Sequence, residues 1–304
     1  MRGRKRGRPG NTVLIWGYNT NGFAHHRLAD AIRILHALGY RAVGITLDYH
    51  HLNPFNRESV RELYEVRRLL ERTGMRCVIE TGARFLLDPW RKHWPTLVDP
   101  LRRQRERRLR FLCKAVDIAA HLGADAVSIW SGVRPNGVPE PALWRWLEDG
   151  CRRLCDYAAE QRVLIGFEPE PGMLIERLAD FDRLRQSVCH PALQLTLDVG
   201  HVHCLDDGPP EAAIHRYREV LVNVHVEDMR KGVHDHLAFG EGTMRFEPIL
   251  AALVEIGYNK GVYVELSRHS HNAVRTAEQA IRFLERTRRR CLTGELAGSD
   301  ESHR

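Results

Sequence analysis

Several apolar runs in this 304-residue chain end on side chains that do nothing to help a strand fold. GFEPE carries Glu168 and Glu170, LDVGH carries Asp198 and His201, NVHVED carries His225, and VYVELS carries Glu265. One such ending is an ordinary surface turn, since Asp and Gly are common turn residues. Four endings of one chemical kind read differently, because independent turns would also draw on Ser, Thr, Lys and Asn. The series is carboxylate, carboxylate, imidazole, carboxylate. That is a mostly hard, oxygen-rich donor set with net negative charge. It suits a divalent ion, Mn²⁺, Mg²⁺ or Co²⁺ first, with Zn²⁺ and Fe²⁺ also admitted. No thiol is placed to join it, and Cys204 reads as a small packed residue.

Eight β-rich runs position these groups: Val13–Tyr18, Ala42–Leu47, Cys77–Glu80, Ala126–Trp130, Val163–Glu168, Leu193–Asp198, Val220–Val226 and Val262–Leu266. Apolar residues at helical spacing lie between them, as in Leu28, Ile32, Leu35, Leu38 and in Leu143, Leu147, Leu154, Ala158. Several helical patterns stop at a Gly just before the next run (LGYRAVGI, TGMRCVI, LGADAVSI, IGYNKGVYV), the signature of a C-terminal cap and re-entry into a sheet. Repeated strand–helix units imply parallel strands with right-handed crossovers. Eight of them predict an α/β fold, a single-domain (β/α)₈ TIM barrel, whose chemistry sits at the C-terminal strand ends. An open doubly wound sheet is the weaker alternative, because no GxGxxG follows the first run. The expected organisation is a disordered basic tail over 1–10, the barrel over 11–288 and a disordered tail over 289–304.

At 43% hydrophobic residues the chain can bury a substantial core. No apolar run approaches the roughly 20 residues of a membrane span, and the basic N-terminus lacks the apolar segment of a secretory signal. The seven Cys show no CxxC spacing, so neither a disulfide framework nor a zinc knuckle is indicated. Cytoplasmic residence is the default expectation. The net charge of +7 is concentrated. Arg2, Arg4, Lys5, Arg6 and Arg8 crowd the N-terminus, RTRRR (286–290) reads as part of a solvated tail, and LRRQRERRLR (101–110) reads as an exposed helix face. KRGRP resembles the core of an AT-hook, but one short match does not carry a nucleic-acid role.

The series GFEPE, LDVGH, NVHVED, AFGEG and VYVELS resembles the xylose-isomerase-like TIM-barrel superfamily of sugar-phosphate isomerases and epimerases, over about residues 11 to 285. By that resemblance Glu168, Asp198, His225 and Glu265 match the metal ligands, with Glu170 replacing Glu168 if the fifth strand ends two residues later. Glu168 is preferred because it directly ends the apolar run. His201 matches a His that lines the site, and Arg230 lies near an Arg that contacts substrate oxygens. Abasic-site nucleases of the endonuclease-IV type are similar in LDVGH and in HDHLAFGEG, the segment that holds His236. They need three zinc ions and further His ligands. Here the fourth run ends in Trp130, and His234 stands where the nucleases carry an Asp, so one metal ion is expected. A metal count above one per chain would favour the nuclease reading.

The resemblance implies enolisation of a hydroxy-carbonyl sugar through an enediolate. Glu168 and Glu265 would then be the acid/base pair as well as ligands. Cyclic-polyol dehydratases are also among the relatives, so the reaction stays open, as does a non-catalytic metabolite-binding barrel. The long third loop offers Trp90, His93 and Trp94 as a sugar wall, or as a packed rim. Substrate contacts are expected from His201, Arg230, Trp94, His93, Glu170 and His236. His25, His26, His50 and His51 read mainly as solvated, and Arg134 and Arg268 mainly as surface residues. The expected partner is a small sugar or sugar phosphate. Neither a membrane nor a nucleic acid is expected, and a homo-oligomer is left open.

Overall fold

The structure is a computed structural model that describes residues 13–293. The expected N-terminal tail and residues 294–304 lie outside the described residues. Eight parallel strands close into a barrel: β1 (Ile15–Asn19), β2 (Ala42–Thr46), β3 (Arg76–Glu80), β4 (Val127–Ile129), β5 (Ile165–Phe167), β6 (Leu193–Asp198), β7 (Leu221–Val226) and β10 (Gly261–Val264). β8 (Asp228–Arg230) and β9 (Val233–Leu237) form a separate antiparallel hairpin between β7 and β10, which the sequence pattern did not announce. The helices are α1 (Leu28–Leu38), α2 (Ser59–Thr73), α3 (Arg102–Leu122), α4 (Glu140–Glu160), α5 (Leu178–Val188), α6 (Val199–Cys204), α7 (Pro210–Tyr217), α8 (Phe246–Glu255) and α9 (Ala273–Thr293). Among the described residues, no helix is long and apolar enough to cross a membrane.

The expected (β/α)₈ barrel is therefore the fold. Each helix folds because an apolar stripe can be covered. In α1, Leu28, Ala31, Ile32 and Leu35 share one face and are fully buried. Burying side chains such as Ile32 and Leu35 is worth about 1.5–3 kcal/mol each. The helix stops where Gly39 turns left-handed (φ +107°) and returns its N–H to the carbonyls of Leu35 and His36. The large core lies between strands and helices. A second, small one of Ala42, Val78 and Tyr263 fills the barrel interior. The Tyr263 ring occupies the space that a Cβ at Gly17 or Gly261 would need.

Above Tyr263 the interior turns polar. Ser128 Oγ and Thr196 Oγ1 meet at 3.1 Å, and Asn19 and Asn223 are fully buried. The ionisable groups stand on this layer, at the C-terminal strand ends. Two expectations about basic runs are corrected. RTRRR lies inside α9 rather than in a tail. In the run 101–110, which opens α3, Arg108 is buried, because its guanidinium lies over the Trp130 and Phe111 rings and donates to the Thr81 carbonyl at 2.8 Å.

Candidate metal centre and cavity

Asp198 shows why an acid and an imidazole stand three residues apart. It ends β6 and also caps α6, its Oδ1 accepting from the N–H groups of Gly200 (2.7 Å) and His201 (3.0 Å). Its buried Oδ2 has no hydrogen-bond partner. The register pairs Asp198 with His225 on β7, and His225 with Tyr263 on β10, so Glu265 projects just above. Glu168 directly follows β5. Donor atoms of Glu168, Asp198, His225 and Glu265 all lie within 4.8 Å of one another. His225 Nδ1 is 3.2 Å from Glu168 Oε1 and 2.9 Å from Glu265 Oε2.

The electrostatics call for a cation. Burial pushes the Glu168 carboxyl up to about 8, against the pull of His225 and with added repulsion from Glu265 and Asp198. Burial would raise Glu265 too, but the imidazole of His225 beside it holds it well below the usual carboxylate range. His225 is raised well above an ordinary imidazole. Burial opposes that shift, and Glu80, Glu168 and Glu265 outweigh it. Two buried carboxylates and a partly buried third around one imidazole, with an orphaned Asp198 oxygen, are costly unless an ion compensates them. The donor set fits a divalent metal ion.

Around this set stand residues that the strand-end pattern missed. Glu80, at the end of β3, meets His225 Nε2 at 2.9 Å, and Asn223 donates to the same Glu80 oxygen at 3.0 Å. An imidazole held at Nε2 by a carboxylate presents Nδ1 as a ligand in a fixed orientation. Asn21 and Asn19 donate to the two oxygens of Glu265 at 2.8 and 3.3 Å. The segment WGYNTNG carried that signal: two amides at the end of an apolar run.

Glu168, Glu265 and Glu80 floor a cavity of about 210 Å³, walled in part by Trp130, His93 and Arg84. Burial pushes Glu170, another lining residue, up to about 7. The wall from the β3 loop is unusual backbone: Ala83, Arg84 and His93 all have left-handed φ (58°, 32° and 65°). Two bonds between them tie the loop down, His93 Nδ1 to the Gly82 carbonyl and His93 N–H to the Arg84 carbonyl, both 2.6 Å.

A profile of the xylose isomerase-like TIM barrel family matches residues 32–287. The chain belongs to that family. Inosose dehydratase from Lacticaseibacillus casei is 28% identical over 163 residues, a match that covers 47% of this chain and 54% of that protein. The chain thus spans about half the length of the curated relatives it matches. Among solved structures, 3-keto-D-glucoside 4-epimerase from E. coli superposes with a TM-score of 0.73 at 17% identity, covering 90% of this chain and all of that one. The IolI protein, solved with a bound zinc atom, gives a TM-score of 0.69 at 16% identity and covers 94% of this chain and all of that one. At such identities these two likenesses establish the barrel.

Within this family fold, the structure brings most of the expected site residues together. Glu168, Glu170, His201, His236, Glu265 and His93 all line the cavity. Asp198 and His225 sit buried beneath it. Glu168, not Glu170, joins the four-donor set, because β5 ends at Phe167. Two expected substrate contacts are corrected. Arg230 is exposed at the hairpin turn and donates to the Glu241 carbonyl at 2.9 Å, so it braces the GEG loop rather than lining the cavity. Trp94 does not line the cavity either, since it packs under Arg91, with the guanidinium 5.0 Å from its ring. Trp130 supplies the aromatic surface instead, edge-on to His93. His51, expected in solvent, is buried between Thr20 Oγ1 and the His26 carbonyl. Arg268 lines the cavity and pairs with Asp235, while Arg134 pairs with Glu140 at 2.9 Å.

The GEG loop serves backbone geometry, and its organiser is Asp228. That buried carboxylate accepts from the N–H groups of Met229, Gly240 and Met244 at 2.9, 2.8 and 3.1 Å. A Cβ at Gly242 would collide with it.

Proposed function

We propose that this chain is a divalent-metal-dependent isomerase or epimerase acting on a sugar, a sugar phosphate or a related polyol through an enediolate. The observation that carries the reading is the convergence of Glu168 and Glu265, from β5 and β10, on His225 Nδ1 at the floor of one cavity. Glu168, Asp198, His225 and Glu265 would hold the ion. When bound, it would supply positive charge that stabilises negative charge developing on substrate oxygens.

The chain's own residues would do the rest. One of Glu168 and Glu265 takes the carbon-bound proton and the other returns one on the opposite face, which gives epimerisation. Return by the same group to the neighbouring carbon gives isomerisation. Asn19 and Asn21 hold the Glu265 oxygens in place, and Glu80 holds His225. The ring of Trp130 suits a sugar face, and Glu170 and His93 offer polar contacts to hydroxyls. The similarity to proteins named 3-keto-D-glucoside 4-epimerase and inosose dehydratase supports the substrate class. The test is product analysis by chromatography after the metal-loaded protein meets a panel of ketoses, their phosphates and keto-inositols. An epimer, isomer or dehydration product that disappears with the metal supports the reading. No product from any member, at full metal occupancy, favours a non-catalytic metabolite-binding barrel.

One observation favours a second reading, an abasic-site nuclease. His201, His234 and His236 lie together beside the four-donor set. Against it, the end of β4 presents Trp130 and Ser131 where a further imidazole would be needed. Incision of a duplex carrying one abasic site, with no activity on sugars, would decide for the nuclease.

A further inference from the structure

A second pocket, of about 200 Å³, opens beside the cavity on the side of β1 and β2. The two share three lining residues, Asn21, Thr46 and Arg84. Each alone is smaller than the roughly 300–1,000 Å³ of an ordinary small-molecule site, and only in continuity do they enter that range. The cavity above the metal floor is therefore one of two chambers, and Arg84 stands at their junction.

The junction is held in place by specific contacts. Ala83 and Arg84 both have left-handed φ, and the His93 N–H fixes the Arg84 carbonyl at 2.6 Å. Strain of that kind persists where the surroundings over-determine it, often at a ligand clamp. The Arg84 guanidinium donates to the Asn21 carbonyl at 2.6 Å and lies 3.6 Å from Asp48. Thr46 is 4% exposed and its Oγ1 has no hydrogen-bond partner. Asn21 Oδ1 is likewise buried and unpaired, while its Nδ2 holds Glu265. An unpaired buried hydroxyl or amide oxygen is costly, and a ligand spanning the junction would give both a partner. The inner wall of the second pocket is fixed as well. Thr20 Oγ1 accepts from the Thr46 N–H at 3.0 Å and meets His51 Nδ1 at 3.2 Å.

Charge decides what the second pocket takes. Besides the imidazoles of His25, His50 and His51, its charged lining groups among the described residues are Arg84 and Asp48, which offset each other. A phosphate there would meet the Asp48 carboxylate beside a single guanidinium. A neutral polyol fits better, because guanidinium, carboxylate, imidazole and the Thr20 hydroxyl offer both donors and acceptors to its hydroxyls. Tyr49, exposed and edge-on to His50 at 5.2 Å, adds an aromatic ring at the rim. We propose that this pocket is a subsite for a second, uncharged sugar unit, so that the substrate is a disaccharide whose reacting unit lies on the floor. The identity of the reacting unit rests on the proposed function above; the second unit rests on Arg84, Thr46 and Asp48.

The test is a binding comparison by calorimetry on metal-loaded, full-length protein. The probes are D-fructose, D-fructose 6-phosphate and four disaccharides that end in a ketose: isomaltulose, maltulose, lactulose and turanose. At least one disaccharide is expected to bind roughly 10–100-fold more tightly than D-fructose, the range of a hydrogen bond or two to charged side chains. Ala24→Trp, which fills the second pocket, should bring that disaccharide down to the affinity of D-fructose. Disaccharides that all bind no better than D-fructose, or not at all, overturn the proposal. So does D-fructose 6-phosphate as the tightest probe, or a folded Ala24→Trp that keeps the full advantage. Deuterium exchange on the same probes separates this inference from the reading it rests on. Tight disaccharide binding without exchange would leave the subsite standing and sink the proposed reaction, and exchange on D-fructose with no gain from any disaccharide would do the reverse.

Discussion

The four donors of the cavity floor and the three imidazoles at its edge are held by different kinds of structure. Glu168, Asp198, His225 and Glu265 stand at the ends of β5, β6, β7 and β10, strands paired on both sides within a closed barrel. Each has further supports, such as Glu80 on His225, Asn19 and Asn21 on Glu265, and the α6 N–H groups on Asp198. His234 and His236 stand on a hairpin whose two strands pair only with each other, tied down through Asp228 and the GEG loop. The floor is carboxylate-rich and set by the barrel, and the edge is imidazole-rich and set by the hairpin between β7 and β10.

Substitutions can separate the two regions, and the largest effect is expected where they touch. Asp198→Asn should keep the barrel folded, because Asn caps a helix about as well as Asp. It should strip the floor of its cation, since Oδ2 belongs to the four-donor set. Metal analysis alongside circular dichroism checks this, and a folded variant with full floor occupancy would make Asp198 a cap and nothing more. Glu265→Gln comes next. It keeps one oxygen donor and removes the base, so turnover should fall roughly 10²–10⁴-fold while some metal remains. Normal turnover at normal occupancy would shift the proton transfer to Glu168 or to His201.

Glu80→Gln is a finer probe, because Glu80 acts through His225. Floor affinity should drop roughly 10–100-fold; a calorimetric titration with unchanged affinity would leave Glu80 without a part in holding His225. Arg230→Ala should do least. Its guanidinium is exposed and donates to the Glu241 carbonyl, so stability should change by about 0.5 kcal/mol or less and floor binding should not change. A chemical-denaturation curve decides, and a large loss would mean that the hairpin helps hold the floor.

The same contrast explains what could be read from the sequence. Barrel strands are continuous apolar runs, so a carboxylate or imidazole that ends one is conspicuous, and Asp198, His225 and Glu265 could be picked out by position alone. Glu80 ends such a run too, in CVIETG, but a single acid before a Gly looks like a turn until His225 is seen opposite it. β9, in VHDHL, is half-buried along most of its length, with nothing like the apolar run of a barrel strand, so its histidines stood out through the family resemblance and not through the strand pattern. Arg108 looked solvated because its neighbours in LRRQRERRLR are mostly charged. Only tertiary packing places it against Trp130, which then takes the wall position that the local pattern had suggested for Trp94.

The central claim is that a metal-bearing floor with Glu265 as a proton carrier activates a carbon-bound hydrogen of a sugar. Its most direct test is exchange of that hydrogen with deuterated water, followed by NMR on the ketose, ketose phosphate and keto-inositol panel. Three samples are needed: stripped protein, protein restored with Mn²⁺ or Co²⁺, and restored Glu265→Gln. The account expects exchange at one carbon of at least one compound in the restored protein, none in the stripped protein, and a loss of roughly 10²–10⁴-fold in the variant. Exchange that is equal with and without metal, or absent from the whole panel at full occupancy, would contradict it.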